Sequence, residues 1–448
     1  FNVYEGKTEE RTVKLFSQNA NGHFDPDIME GLLNPDGGEA ELSSTLMSRD
    51  YLENSTEFSG ESLITLFDID ATEGTVEQVL QNGVYPDAKY KAVVTGEDTA
   101  LLVFIGDVPD RSAANRTGLY YSVYDGAKWS TPVLVDDDGT LDDYPEAFDL
   151  GDKVLIAWSS ADRVLDDGVT VQEALSSLDI KTVFYDKETG EFDDVVRLTH
   201  TTEQDYTADV MPKAAYDEST GKVILYYTKT EYNEAVTTED LLGNPAWESE
   251  ESSGSPSVIA YRFYENGTWN GAEDYTDEEL EGVADKEAYK ENWYGQRFLD
   301  TRLNKDSGEM LRIVDTDAIS YNGLSIYAWT VDYDKDLNTT NDRDVFMQIY
   351  NFDENSFTHV IRVTAEAGAY AAPHFGRYND NTYLFFSAIG DLGNGEDAGS
   401  SGIAYINITE PIKNGRFTLV SENNTEYYKL QYTSITAPTV SADGTEIP

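Results

Sequence analysis

The stretch Pro145-Glu-Ala-Phe-Asp-Leu-Gly-Asp-Lys-Val-Leu-Ile-Ala-Trp158 joins an extended segment to a dense apolar strand through a Gly-containing turn. The same order recurs along the chain. Pro86-Asp-Ala-Lys-Tyr leads to Leu101-Leu-Val-Phe-Ile, Pro212-Lys-Ala-Ala-Tyr to Val223-Ile-Leu-Tyr-Tyr, Thr316-Asp-Ala-Ile-Ser to Leu324-Ser-Ile-Tyr-Ala-Trp329, and Pro373-His-Phe-Gly-Arg to Tyr383-Leu-Phe-Phe. Pro438-Thr-Val-Ser opens a sixth copy. A third strand follows in each full copy, as in Leu119-Tyr-Tyr-Ser-Val-Tyr, Thr182-Val-Phe-Tyr and Val345-Phe-Met-Gln-Ile-Tyr. It ends in a tight turn such as Asp125-Gly126 or Asn266-Gly267, dipeptides suited to hairpins whose central residues need positive φ. An aromatic then opens a fourth strand: Trp129, Phe192, Trp269, Phe357 and Phe417.

Four short antiparallel strands per unit, apolar on both faces, predict repeated sheets that cover one another. The expected fold is all-β: a β-propeller of six four-stranded blades. The long interval between Pro212 and Thr316 leaves room for a seventh, inside 270–312. Ser62-Leu-Ile-Thr-Leu-Phe67 and Thr75-Val-Glu-Gln-Val-Leu80 read as further strands, so pairing of 438–448 with 62–80 is expected to close the ring and remove its free edges. Residues 1–55 do not fit the repeat and form an N-terminal extension. Residues 56–448 form the propeller, with an insertion at 228–310.

The chain carries 85 acidic and 31 basic residues, a net charge of −54. That surface repels phosphate backbones and anionic membranes, so nucleic acid is not an expected partner. No apolar run is long enough to span a bilayer as a helix, and membrane insertion is not expected. With no cysteine and four histidines, disulfide scaffolds, thiolate nucleophiles and His-rich metal centres are excluded.

The rung Tyr120-Tyr-Ser-Val-Tyr-Asp-Gly-Ala-Lys-Trp-Ser-Thr-Pro132 resembles propeller repeats of large secreted bacterial surface proteins, sialidase-like ones among them. So does Asp332-Tyr-Asp-Lys-Asp through Asp342-Arg-Asp344. The sialidase Asp-box is not matched: Trp129 and Trp269 each follow the acid by four residues rather than five. The resemblance implies a fold and an extracellular or cell-surface setting, and little about activity.

Connections between second and third strands are all long (106–117, 159–179, 228–257, 331–343, 388–401), whereas those on the opposite side are short. Long loops gathered on one face mark it as the place for a ligand. The residue after each repeat's Pro falls at the channel mouth on that face: Asp87, Glu146, Lys213, Asp317, His374 and Thr439. Carboxylates converging with a Lys and a His suit a polar ligand, a cation or acid–base chemistry; equally, they suit a solvated structural ring. Trp158 and Trp329 end equivalent strands and read as packing residues, while Trp247 and Trp293 lie in Glu-rich irregular sequence and read as ligand contacts. Asp332, Asp334, Asp336, Asn338, Asp342 and Asp344 place oxygen donors at alternate positions, which suits Ca²⁺, although the loop lacks the Gly and Glu of an EF-hand.

The function these features favour is a non-catalytic extracellular binding module that recognises a glycan or protein through its acidic loop face. One alternative is a glycoside hydrolase or lyase using carboxylates at the channel mouth. The other is a structural spacer of a larger surface protein. The sequence carries no signal of oligomeric state.

Overall fold

The computed structural model describes residues 2–5, 9–12, 89–166, 168–200, 207–231, 257–277, 295–299, 311–333, 343–364, 369–389, 401–422, 425–430, 439–440 and 446–447, with a few single positions between 279 and 301. The chain divides into two compact units, residues 1–79 and 80–448. In the first, β1 (Asn2–Glu5) pairs antiparallel with β2 (Glu9–Thr12).

In the second unit the repeat appears as consecutive antiparallel sheets. The first holds β3 (Tyr90–Val94), β4 (Ala100–Asp107), β5 (Thr117–Tyr124) and β6 (Val133–Leu134). The second holds β7 (Asp142–Asp149), β8 (Lys153–Ala161), β9 (Leu178–Asp186) and β10 (Val196–Arg197). In the third, β11 (Thr207–Asp217), β12 (Lys222–Glu231), β13 (Ser257–Glu265) and β14 (Thr268–Trp269) are joined by β15 (Arg297–Phe298), which pairs with β13. The fourth repeat supplies β16 (Arg312–Tyr321), β17 (Leu324–Asp332), β18 (Arg343–Asn351), β19 (Ser356–Phe357) and β20 (Ile361–Arg362). The fifth supplies β21 (Ala369–Tyr378), β22 (Asn381–Ile389) and β23 (Ser401–Asn407), followed by β24 (Phe417–Glu422) and β25 (Thr425–Leu430). The hairpin turns follow their chemistry: Asn266-Gly267 and Asn322-Gly323 both hold positive φ at their two residues (53° and 85°, 47° and 73°).

The expected six-bladed ring is corrected in two respects. The fourth and fifth repeats do not remain separate blades. They merge into one ten-stranded sheet through parallel contacts of β18 with β21 (Arg343↔Ala369) and of β20 with β25 (Ile361↔Tyr428). Among the described residues the C-terminal strand pairs locally: β26 (Thr439–Val440) and β27 (Glu446–Ile447) form their own hairpin. A five-residue connection costs far less closure entropy than pairing across the whole chain, so the local hairpin satisfies these backbone groups first. Among the described residues no sheet closes on itself, and the fold is all-β, built of several antiparallel sheets. Residues 62–80, the expected partner of the C-terminus, lie outside the described residues.

First strands of successive sheets (β3, β7, β11, β16, β21) lie beside one another in chain order. Among the described residues three repeat prolines, Pro145, Pro212 and Pro373, sit at a break in strand register: between Asp143 and Glu146, Val210 and Lys213, and Ala371 and His374. Pro lacks an N–H and so belongs at such a bulge. The residue before it is left-handed each time, Tyr144 at φ 50°, Met211 at 55° and Ala372 at 51°. These are strained positions for non-glycine residues, and they re-aim the side chain that follows the Pro. Thr316-Asp317 lacks the Pro, and its register shift lies upstream, between Ile313 and Asp315.

Buried polar links stitch one repeat to the next. The Asp142 carboxylate accepts the Trp158 indole N–H at 2.9 Å and the Leu119 N–H of the first sheet at 3.0 Å. Tyr216 N–H donates to Ser320 Oγ at 2.7 Å, and Phe375 N–H to Asp317 Oδ2 at 2.8 Å. Trp158 and Trp329 are fully enclosed in the core, as their packing role required.

Candidate active site

Cross-strand register identifies the equivalent positions. Glu146 stands opposite Ala157, Lys213 opposite Tyr226, Asp317 opposite Ala328 and His374 opposite Phe385. Four successive repeats, in three sheets, thus present one side chain each at the same level of their first strands. In the first sheet the matching residue is Tyr90, opposite Phe104, rather than Asp87, which lies outside the described residues. Tyr90 is 72% exposed and lines a cavity of ≈ 420 Å³ with Lys89, Lys91, Tyr144, Glu146, Lys213 and Asp315, among others.

Ion pairs link these strands. Glu146, itself buried, is bracketed by two ammonium groups, Lys213 from one neighbouring strand and Lys91, at 3.0 Å, from the other. His374 Nδ1 lies 3.1 Å from Asp317 Oδ2. Lys89 pairs with Asp143 at 2.8 Å and sits 3.3 Å over the Tyr144 ring. Ala372 N–H donates to Asp315 at 3.2 Å, fixing the His374 bulge to the first strand of the fourth repeat.

The electrostatics of the Asp317–His374 pair follow from this geometry. Burial on its own raises the Asp317 carboxyl. The His374 hydrogen bond, the Lys213 charge and the Phe375 N–H together outweigh it and hold the group below its usual range. For His374 the Asp317 hydrogen bond dominates and raises the imidazole above its usual value; partial burial and the charges of Lys91 and Lys213 oppose it. The imidazole is 71% exposed, so one nitrogen is held by a carboxylate while the ring faces solvent. That is an acid–base group with a fixed orientation, exposed to solvent and within the field of Lys91 and Lys213.

Other expected site residues fall elsewhere. Trp247, Trp293, Asp334, Asp336, Asn338 and Asp342 lie outside the described residues, as does the side chain of Thr439. Asp332 and Asp344 are described, fully buried, and committed to the base of their loop. Asp332 accepts Arg343 Nε at 2.8 Å. Asp344 accepts Arg362 Nη2 at 2.5 Å, Tyr333 O–H at 2.9 Å and Thr364 O–H at 2.6 Å. Among the described residues no group of three or more His, Asp or Glu side chains is arranged to hold a metal ion.

Sequence reasoning missed Lys89, Tyr90, Lys91 and Tyr144. Aligning the first repeat on its apolar strand, Leu101–Ile105, instead of on Pro86 would have brought Tyr90 into phase with Glu146.

No protein-family model matches the chain, and no curated protein matches it. Among solved structures it is similar to a GH93 α-L-arabinofuranosidase of Fusarium graminearum in complex with arabinobiose, at 13% identity over 76% of this chain and 82% of that one, with a TM-score of 0.41. It is similar to a Penicillium chrysogenum α-L-arabinanase complexed with arabinobiose at 13% identity, over 70% and 72%, with a TM-score of 0.36. A polysaccharide lyase is similar at 10% identity, over 71% and 58%, with a TM-score of 0.39. The likeness is distant and spreads over carbohydrate-active enzymes instead of falling on sialidase-like repeats in particular. Each of these structures is of an enzyme, against the expected non-catalytic binding module and the expectation that the chain is not an enzyme.

Proposed function

We propose that the chain is a carbohydrate-active enzyme, a glycoside hydrolase or a polysaccharide lyase, with its active site at the opening framed by Glu146, Lys213, Asp317 and His374. The observation that supports it is the convergence of these four side chains from the first strands of four repeats, three of them aimed by strained bulges. Purely structural ion pairs do not need left-handed residues before Pro in three separate strands.

Within the proposal, His374 moves the proton and Asp317 fixes its tautomer and direction. As an imidazolium it protonates a departing glycosidic oxygen, with Glu146 as the carboxylate partner in hydrolysis. As a neutral base it removes the proton next to a uronate carboxyl, with Lys91 and Lys213 meeting the charge that develops in elimination. The substrates of both reactions are largely extracellular polymers, so the same proposal places the chain outside the cell or at its surface.

The test is a panel of plant, algal and animal polysaccharides incubated with the chain and with Glu146→Gln. Reducing ends without an unsaturated product identify a hydrolase, and an unsaturated product identifies a lyase. Hydrolysis that the Glu146→Gln variant retains in full, or no turnover of any polymer, would overturn the proposal.

A further inference from the structure

A second cleft lies away from this opening, between the third and fourth sheets. Its volume is ≈ 450 Å³, within the ~300–1,000 Å³ usual for ligand pockets. Four rings form its floor in a closed circuit: Tyr261 to Phe263 (5.5 Å), Phe263 to Tyr350 (5.3 Å), Tyr350 to Phe357 (4.8 Å) and Phe357 back to Tyr261 (5.1 Å). Tyr261, Phe263 and Phe357 are only partly buried. The rim is polar and includes Asn266, Thr268, Asn270 and Thr276.

Lys222 makes this more than a packing seam. It is 9% exposed and lines the cleft. Its ammonium donates to Tyr350 Oη at 3.0 Å and Asn355 Oδ1 at 2.8 Å, and lies 4.2 Å from the Phe263 ring centre. Among the described residues it has no carboxylate partner. Burial lowers its pKa, only partly offset by the more distant charge of Glu265. A buried charge is normally paired, and one left without a counter-ion is costly. The other acids of the rim are already engaged: Glu279 is ion-paired with Arg297, and Asp274 accepts the Gly271 N–H at 2.6 Å.

We infer that this cleft binds an acidic sugar, a uronic acid residue whose carboxylate meets the Lys222 ammonium while its ring lies on the Tyr261–Phe357 floor. The aromatic faces suit the apolar face of a sugar ring, and the Asn and Thr side chains of the rim suit its hydroxyls. An aliphatic or aromatic acid would leave that rim unused. The site is independent of the catalytic proposal, since none of its residues lies at the opening.

The test is calorimetric titration at about 0.15 M salt, where the chain's distant negative charges are screened beyond ~8 Å. The probes are D-galacturonic and D-glucuronic acid, with D-galactose and D-glucose as neutral counterparts that lack only the carboxylate. The uronic acids are expected to bind at least about tenfold more tightly than the neutral sugars, the scale of one charge-assisted hydrogen bond. Lys222→Met should remove that preference. Asn355→Asp supplies an internal counter-ion while keeping the acceptor, so it should also abolish uronate binding and raise the melting temperature. Equal binding of acidic and neutral sugars, no binding at all, or a uronate preference that survives in Asn355→Asp would overturn the inference. Should Lys222→Met fail to fold, Asn355→Asp still decides. None of these outcomes bears on turnover at Glu146 and His374.

Discussion

His374→Gln is expected to lower kcat on the polysaccharide substrate by about 10²–10⁴-fold, the range for losing a positioned general acid or base. Gln keeps a polar side chain of similar reach at the bulge, so the Asp317 contact and the fold should survive. Asp317→Asn should give a smaller loss with a different signature. The Asp317 hydrogen bond is the main cause that raises the His374 pKa. Removing the negative charge therefore lets the imidazole lose its proton at a lower pH. The limb of the pH–rate profile that reports His374 should move to lower pH in Asp317→Asn, while kcat at the optimum falls less than in His374→Gln. An unchanged profile, or full activity of His374→Gln, would remove His374 from the chemistry.

The second large effect concerns stability. Asp142 is 1% exposed, and burial pushes its carboxyl up to about 6 despite the hydrogen bonds it accepts. In the unfolded chain it returns to the ordinary value of 3.8. Between those values the unfolded state gives up its proton first, so this group's contribution to stability is greatest below about pH 4 and is lost as pH rises to about 6. The lost contribution is about 3 kcal/mol, since each tenfold change in proton affinity is worth about 1.4 kcal/mol. Asp142→Asn removes the titration and keeps an acceptor for the Trp158 indole. Its amide turns a donor toward the Leu119 N–H, so the variant carries a roughly constant penalty. The difference in unfolding free energy, variant minus wild type, should therefore climb in the variant's favour between pH 4 and pH 7. Parallel stability curves would show that Asp142 is ionised in the fold at both ends of the range.

Much of the repeat was legible because its signals are local. The apolar runs Val154–Trp158, Leu324–Trp329 and Val345–Tyr350 all lie in strands β8, β17 and β18, and the Asn-Gly pairs sit at hairpin turns. The repeat Pro marked real bulges, and through them Glu146, Lys213 and His374. Closure was a different matter. It depends on which distant strands pair, and two-residue strands such as Thr439–Val440 carry no register information strong enough to choose a partner. The merger of the fourth and fifth repeats was hidden for the same reason: β20 and β25 meet over two residue pairs.

At the candidate site, the limit was phase. The first repeat keeps the Pro but places its strand later, so counting from Pro86 chose Asp87, whereas the register chooses Tyr90. Lys91 was overlooked because nothing in its own segment announces that its ammonium reaches Glu146 in the next sheet. Lys222 was overlooked because a lysine at the start of an apolar strand reads as an exposed flank. Only the packing of Tyr350 and Phe263 around it reveals a buried charge.

The central claim, that the opening between the first strands is where a saccharide is processed, is tested most directly by a crystal structure. The Glu146→Gln variant would be soaked with an oligosaccharide that the unaltered chain cleaves. The account predicts the sugar at the mouth formed by Tyr90, Lys91 and Lys213, with its scissile oxygen or the adjacent carbon within hydrogen-bond reach of His374 Nε2. Sugar bound only at the far end of the first strands, against Tyr216, Tyr321 and Tyr378, would contradict it.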